Sequence, residues 1–177
     1  ANLIMDNMIA AGECKPFIIV MTYGMTNDVK FGGLGGFNFK DFETVLVDEL
    51  VPYIDANFKT IAMKDSRAMA GLSMGGGQSL NFGLGHMDVF AYVGGFSSAP
   101  NTNTPEVLIP DVEKTKAENE LLWMVCGNKD GLMFNSTRLK AFCDKNEVPC
   151  TLIEYPDGQH DFVVWKYGLY NFAQLIF

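Results

Sequence analysis

Several things are scarce in this chain of 177 residues, and each scarcity excludes a class of chemistry. Lys and Arg number 13 against 21 Asp and Glu, for a formal charge of −8. The basic residues form no cluster, so a nucleic-acid backbone is not an expected partner. No apolar run approaches the ~20 residues that cross a bilayer, so no membrane span is expected. The first residues, "ANLIMDNMIAAG", lack the basic start and long apolar centre of a signal peptide and read as a short amphipathic helix ending at Gly12. The four cysteines, Cys14, Cys126, Cys143 and Cys150, include no CxxC pair and no zinc spacing, so no zinc site is expected. Cys126 sits in "LLWMVCG" as a buried small hydrophobe. Cys143 and Cys150 can pair as a disulfide only if the helix and strand that carry them are neighbours. Histidine is the scarcest of all: only His86 and His160 occur.

What is present is apolar and patterned. Residues 17–22 ("FIIVMT"), 67–73 ("RAMAGLS"), 90–98 ("FAYVGGFSS"), 121–127 ("LLWMVCG") and 150–156 ("CTLIEYP") are short, nearly continuous apolar runs. Such runs fit strands buried on both faces, as in a parallel sheet covered by helices. Helical patterns lie between them. In 39–58 apolar residues fall at 39, 42, 46, 50, 54 and 58 along one stripe, with Pro52 expected to kink it. Residues 76–86, 133–147 and 161–177 are further helices, and 24–38 and 99–110 are the long loops. The alternation predicts one α/β domain over 1–177.

"GLSMG" at 71–75 fits G-x-S-x-G, with an apolar strand before it and a helix after. A serine on such a turn is held in strained φ/ψ with its hydroxyl projecting above the strand end. The flanking glycines keep neighbouring side chains clear, and the Met74 N–H is placed to stabilise an oxyanion. Ser73 then needs a base. His86 ends the helix after the elbow, where a surface or capping role suits it. His160, in "YPDGQHDF", follows the last strand at the same sheet edge as Ser73, where ligand sites of open α/β sheets gather. The third member is a carboxylate. Asp130, in "CGNKDGL", follows the strand 121–127 on that edge, while Asp157 and Asp161 are rivals beside His160 and better suited to turns. Ser73, Asp130, His160 is the order expected of α/β-hydrolases. "FGGLGGF" at 31–37 lacks the dinucleotide spacing and reads as a flexible loop bordering the active edge.

"KPFIIVMTYG", "RAMAGLSMGGGQSLNFGL", "FAYVGGFSSAPNT", "CGNKD" and "GQHDFVVWKYGLYNF" together resemble the feruloyl esterase domains of carbohydrate esterase family 1, over nearly the whole chain. The resemblance implies an α/β-hydrolase fold, no cofactor, and cleavage of the ester joining ferulic acid to arabinose on xylan. It implies Ser73 as nucleophile, Asp130 as acid, His160 as base and the Met74 N–H as one oxyanion donor. It places the loop 97–105, with Ser98 and Asn101, near the acyl pocket. Trp165 follows the histidine motif and is read as packing of the last helix. Feruloylated arabinoxylan or a small ester is the implied substrate, a xylanase domain in the parent polypeptide the implied partner, and a secreted or periplasmic location the implied setting. Acetyl-xylan esterases, S-formylglutathione hydrolase-like thioesterases and siderophore esterases share related architectures, and a non-catalytic carbohydrate-binding or structural remnant is the reading from another class. Family members carry further strands before the helix matching "ANLIMDNMIAAG", followed by a glycine loop that supplies a second oxyanion N–H. The sheet is therefore expected to lack its N-terminal strands and to expose a long edge at the 17–22 side, which a second copy could cover.

Overall fold

The computed structural model describes residues 1–26 and 39–177. The "FGGLGGF" loop lies outside the described residues. Those described group into two compact units, Ala1–Pro16 with Met63–Phe177, and Phe17–Ala62.

The larger unit is an α/β sandwich. Helix α1 (Asn2–Ala11) ends as expected at Gly12, whose φ of 71° is the left-handed conformation that closes a helix. In the smaller unit, the stripe over 39–58 is helical in three pieces: α2 (Lys40–Thr44), a π-helical stretch Val45–Leu50, and α3 (Val51–Asn57). Phe42 and Leu46 are its buried residues. From Phe42 onward the apolar positions recur every four residues, slower than the 3.6 of an α-helix. The wider i→i+5 turns of the π stretch keep them on one side. The helical backbone runs without a break into α3, Leu50 having φ −70° and ψ −46°, so Pro52 denies the preceding turn an N–H, and the irregularity lies in that turn, just ahead of the proline.

Back in the larger unit, β1 (Ala68–Leu72), α4 (Met74–Gly85), β2 (Tyr92–Phe96), α5 (Pro105–Leu108), α6 (Val112–Glu118), β3 (Leu121–Gly127), α7 (Met133–Lys145), β4 (Thr151–Tyr155) and α8 (Phe162–Ala173) follow in order. The four strands lie in sequence order and every pairing is parallel. Helices cover both faces. Val93, Leu122 and Met124 point one way, into a core shared with Leu80 and Leu84 of α4, Leu108 of α5, and Leu139 and Cys143 of α7. The alternate residues point the other way. There Phe96, Trp123 and Phe172 of α8 pack ring edge to ring, with Phe96 centred 5.7 Å from Trp123 and 5.9 Å from Phe172.

The expected first strand is a correction. Residues 17–22 form no strand, and Ile18, Val20 and Met21 are largely exposed. An apolar run supplies the side chains of a strand, but the ladder needs a neighbour to bond with. Among the described residues the only strand hydrogen-bonded to β1 is β2. Cys143 and Cys150 do meet where α7 ends and β4 begins, as free thiols sharing a hydrogen bond.

Candidate active site

Because all four strands run in one direction, the turns after them open on a single edge. Ser73 leaves β1 there, Ser97 leaves β2, Asp130 follows β3 and His160 follows β4.

Ser73 has φ 54° and ψ −121°, a conformation that costs a non-glycine residue on the order of 1–3 kcal/mol. The surroundings hold it there. Its N–H donates to the Phe96 carbonyl at 2.9 Å, and its own carbonyl accepts from Gly77 N–H at 3.1 Å and Ala99 N–H at 3.0 Å. The chain passes so close to itself that a Cβ at Gly71 would lie 2.4 Å from the Gly75 oxygen. The matching position, Gly75, has open space around it. Only one of the two glycines flanking the serine is thus there for clearance. Met74 opens α4, so its N–H has no carbonyl a turn earlier in the helix to bond and points out of the helix start beside Ser73.

The three residues named from chain order are brought together. The Ser73 hydroxyl is 2.9 Å from His160 Nε2, and His160 Nδ1 is 2.8 Å from Asp130 Oδ2. The Asp130 side chain is almost wholly buried, whereas the imidazole is 35% exposed. Burial by itself works against the Asp130 charge. The Leu132 N–H donated at 2.8 Å, the His160 contact and the nearby Ser97 hydroxyl together outweigh it and hold the carboxyl below its ordinary range. The Ser97 oxygen acts through proximity, since it closes no hydrogen bond of good geometry. An ionised carboxylate only accepts. The Nδ1–H therefore donates to Asp130, and Nε2 is left to accept from the Ser73 hydroxyl.

The rivals to Asp130 have other work. Asp161 caps α8, accepting from the Val163 and Val164 N–H groups. Asp157 pairs with Lys129 at 2.6 Å, and its N–H donates to Asn128 Oδ1 at 2.9 Å. These contacts belong to a seam between the loops that carry Asp130 and His160. Asn128 N–H donates to the Tyr155 carbonyl and Lys129 N–H to the Gly158 carbonyl. At the centre of the seam a Cβ on Gly127 would lie 2.3 Å from Gly158 backbone atoms. His86 lies at the C-terminal end of α4, where its carbonyl accepts from Val89 and Phe90 N–H.

Ser98 and Asn101 lie under and beside the elbow. Ser98 is fully buried, and its carbonyl accepts from Asn135 Nδ2 at 2.9 Å. Asn101 Nδ2 donates to the Met74 carbonyl at 3.0 Å, bracing the start of α4. Arg138 ties α7 to the same loop by donating to the Thr102 and Asn103 carbonyls. Sequence reasoning missed Asn135 and Arg138, which belong to no motif, and took in Ser97 only as part of the loop 97–105 without a role of its own; their contacts appear only once β2 and α7 are side by side. Cys126, beneath Ser97 and Asp130, is fully buried and its thiol is pushed up to about 12, chiefly by burial, so it stays neutral. Among the described residues no group of three or more His, Cys, Asp or Glu is placed to hold a metal ion, and no helix is long and apolar enough to cross a membrane.

Comparison with known proteins agrees with this architecture. The model of the esterase family, described as "Putative esterase", matches residues 3–172. An endo-1,4-beta-xylanase/feruloyl esterase of Xylanibacter ruminicola is 42% identical over 180 residues, covering 100% of this chain and 23% of that protein. An esterase of Mycobacterium tuberculosis is 37% identical over 98 residues, 55% of this chain and 20% of its own. The chain thus spans less than a quarter of the length of either relative. Among solved structures, a mutant feruloyl esterase module from Clostridium thermocellum complexed with sinapinate superposes with a TM-score of 0.79 at 17% identity, over 98% of this chain and 68% of that one. A ferulic acid esterase from Anaeromyces mucronatus, in complex with ferulic acid, gives 0.73 at 21% identity over 97% and 69%. These two likenesses show the fold: an α/β-hydrolase.

Proposed function

Since the chain belongs to the esterase family, we propose that it is a serine carboxylic-ester hydrolase that releases ferulic acid from arabinoxylan through an acyl-enzyme on Ser73. The observation that carries this reading is the unbroken run of hydrogen bonds from the Ser73 hydroxyl through His160 to the buried Asp130. In the first half-reaction the Ser73 Oγ attacks the ester carbonyl while Nε2 takes its proton. Asp130 keeps the imidazole in the tautomer that can accept it, and steadies the cation that results. The Met74 N–H donates to the oxyanion. The carbonyl then re-forms, and the arabinose alcohol departs with the proton from Nε2. In the second half water takes the place of the alcohol: His160 removes its proton, the tetrahedral oxyanion collapses, Ser73 recovers its proton and ferulate leaves.

Support for the acyl group comes from the Xylanibacter ruminicola protein, whose likeness runs the whole length of this chain. That protein's name joins a xylanase to a feruloyl esterase, and a xylanase domain in the parent polypeptide forms part of this proposal. A polymeric substrate is met outside the cytoplasm, so a secreted or periplasmic setting belongs to it as well. The test is Ser73→Ala in the whole protein with methyl ferulate. A fall in kcat of about 10⁴-fold or more is expected, and unchanged hydrolysis would end the reading. Side-by-side rates on feruloyl, acetyl and thioester substrates test the acyl group.

A further inference from the structure

His160 is held at both nitrogens, by Asp130 on one side and Ser73 on the other. Those bonds and the Cβ attachment set the ring's direction, but the imidazole is carried by a loop and is 35% exposed. A packing contact from a firmer element resists its tilting. Trp165 supplies one. Its ring stands edge to face with the imidazole, 85° apart with centroids separated by 4.9 Å. We propose that Trp165 is the positioning residue for His160, its indole ring fixing the plane of the imidazole whose tautomer Asp130 fixes.

Two further observations show that ring packing decides where the indole sits. Its N–H is buried and has no hydrogen-bond partner, although a buried indole N–H ordinarily finds one. Phe162 also packs against the indole edge to face, with centroids 4.9 Å apart and planes at 77°. The backbone beneath is firm: Trp165 lies in the first turn of α8, which Asp161 caps and the fully buried Val164 anchors. In the loop before it, Gly158 N–H donates to the Tyr155 carbonyl and Asp161 N–H to the Gln159 carbonyl, one on each side of the residues that carry the imidazole.

The inference rests on the esterase reading for its effect on rate and is independent of that reading for its effect on the ring. Trp165→Leu fills much of the space without an aromatic edge, and Trp165→Phe restores the edge while removing the unpaired N–H. In the whole protein the leucine variant is expected to lower kcat on methyl ferulate about tenfold or more, the scale of a misplaced catalytic group. Its KM should move less than about twofold, because substrate binding is not what is lost. The phenylalanine variant should restore most of kcat. Proton NMR gives a readout free of activity: the His160 Nδ1–H resonance should be sharp in the wild type and the phenylalanine variant, and broadened by exchange in the leucine variant. A folded leucine variant with wild-type kcat and a sharp resonance overturns the proposal. So do equal losses in both variants with the resonance intact. If the wild type hydrolyses no ester, the functional reading fails and the resonance alone decides the role of Trp165.

Discussion

The two halves of the hydrogen-bonded run are held in different ways. Ser73 is held by backbone: one strand, one helix and the adjoining strand end approach so closely that Gly71 has no room for a methyl group. Asp130 and His160 are held across a seam between two loops, partly by side chains, one pair of which, Lys129 and Asp157, is mostly exposed. The first arrangement tolerates almost no change at its crossing point. The second concentrates its need in the buried carboxylate and leaves its outer contacts replaceable. A nucleophile in a strained conformation requires the first kind of support, because anything softer would let the strain relax. An imidazole that must accept and return a proton needs only a fixed tautomer and direction.

Substitutions can break or sharpen this contrast. The largest effect belongs to Asp130→Asn, which keeps the shape and removes the charge that sets the tautomer. The expected loss of kcat is about 10⁴-fold. The same variant has a pH signature. The Asp130 carboxyl is held below its ordinary value, near 3.9 in an unfolded chain, so the stability it contributes is present above that value and is lost as pH falls through the lower native one. Thermal melts from pH 6 downward should therefore fall less steeply in Asp130→Asn than in the wild type. Next comes Gly71→Ala, which forces the Gly75 backbone to move. It should cost about 1–3 kcal/mol in denaturant unfolding and about 10²-fold in kcat/KM through the displaced hydroxyl. Gly75→Ala is its internal control. With open space beyond its own helix for the new methyl, and a helix gaining a better former, it should stabilise by about 0.5–1 kcal/mol. Equal losses at the two glycines would collapse the distinction. Smallest of all is Lys129→Ala. Its ion pair with Asp157 is exposed, so stability should change by less than about 1 kcal/mol.

The same contrast explains what could be read from the residues alone. The elbow is a local object: glycine, serine, a strand before and a helix after lie within one short stretch, so Ser73 was legible. The partners are nonlocal. Asp130 and His160 could be placed only by their order and by the rule that parallel strands open on one edge, and Asp130 stood apart from Asp157 and Asp161 only because it follows a separate strand while they share a tight loop with His160. Asn135 and Arg138 left no trace, because their contacts to Ser98 and Thr102 span 37 and 36 residues. Trp165 was visible but read as helix packing, since nothing in a sequence tells which ring an indole will touch. The instructive error is residues 17–22. Beside 121–127 the run is equally apolar, yet only the latter forms a strand. The difference lies in the neighbours, Tyr92–Phe96 and Thr151–Tyr155, that flank the latter on both sides.

The Phe96 and Ala99 contacts of Ser73 also determine when the hydroxyl becomes available during folding. Both come from the end of β2 and the turn after it, so a chain in which β2 has not yet docked carries an ordinary serine with ordinary reactivity. Chemical attack on Ser73 by a fluorophosphonate also needs His160 and Asp130, which follow β4 and β3, so labelling reports that all four strands have assembled. Followed through refolding, the label is a clock for the completed sheet, read out by a single residue.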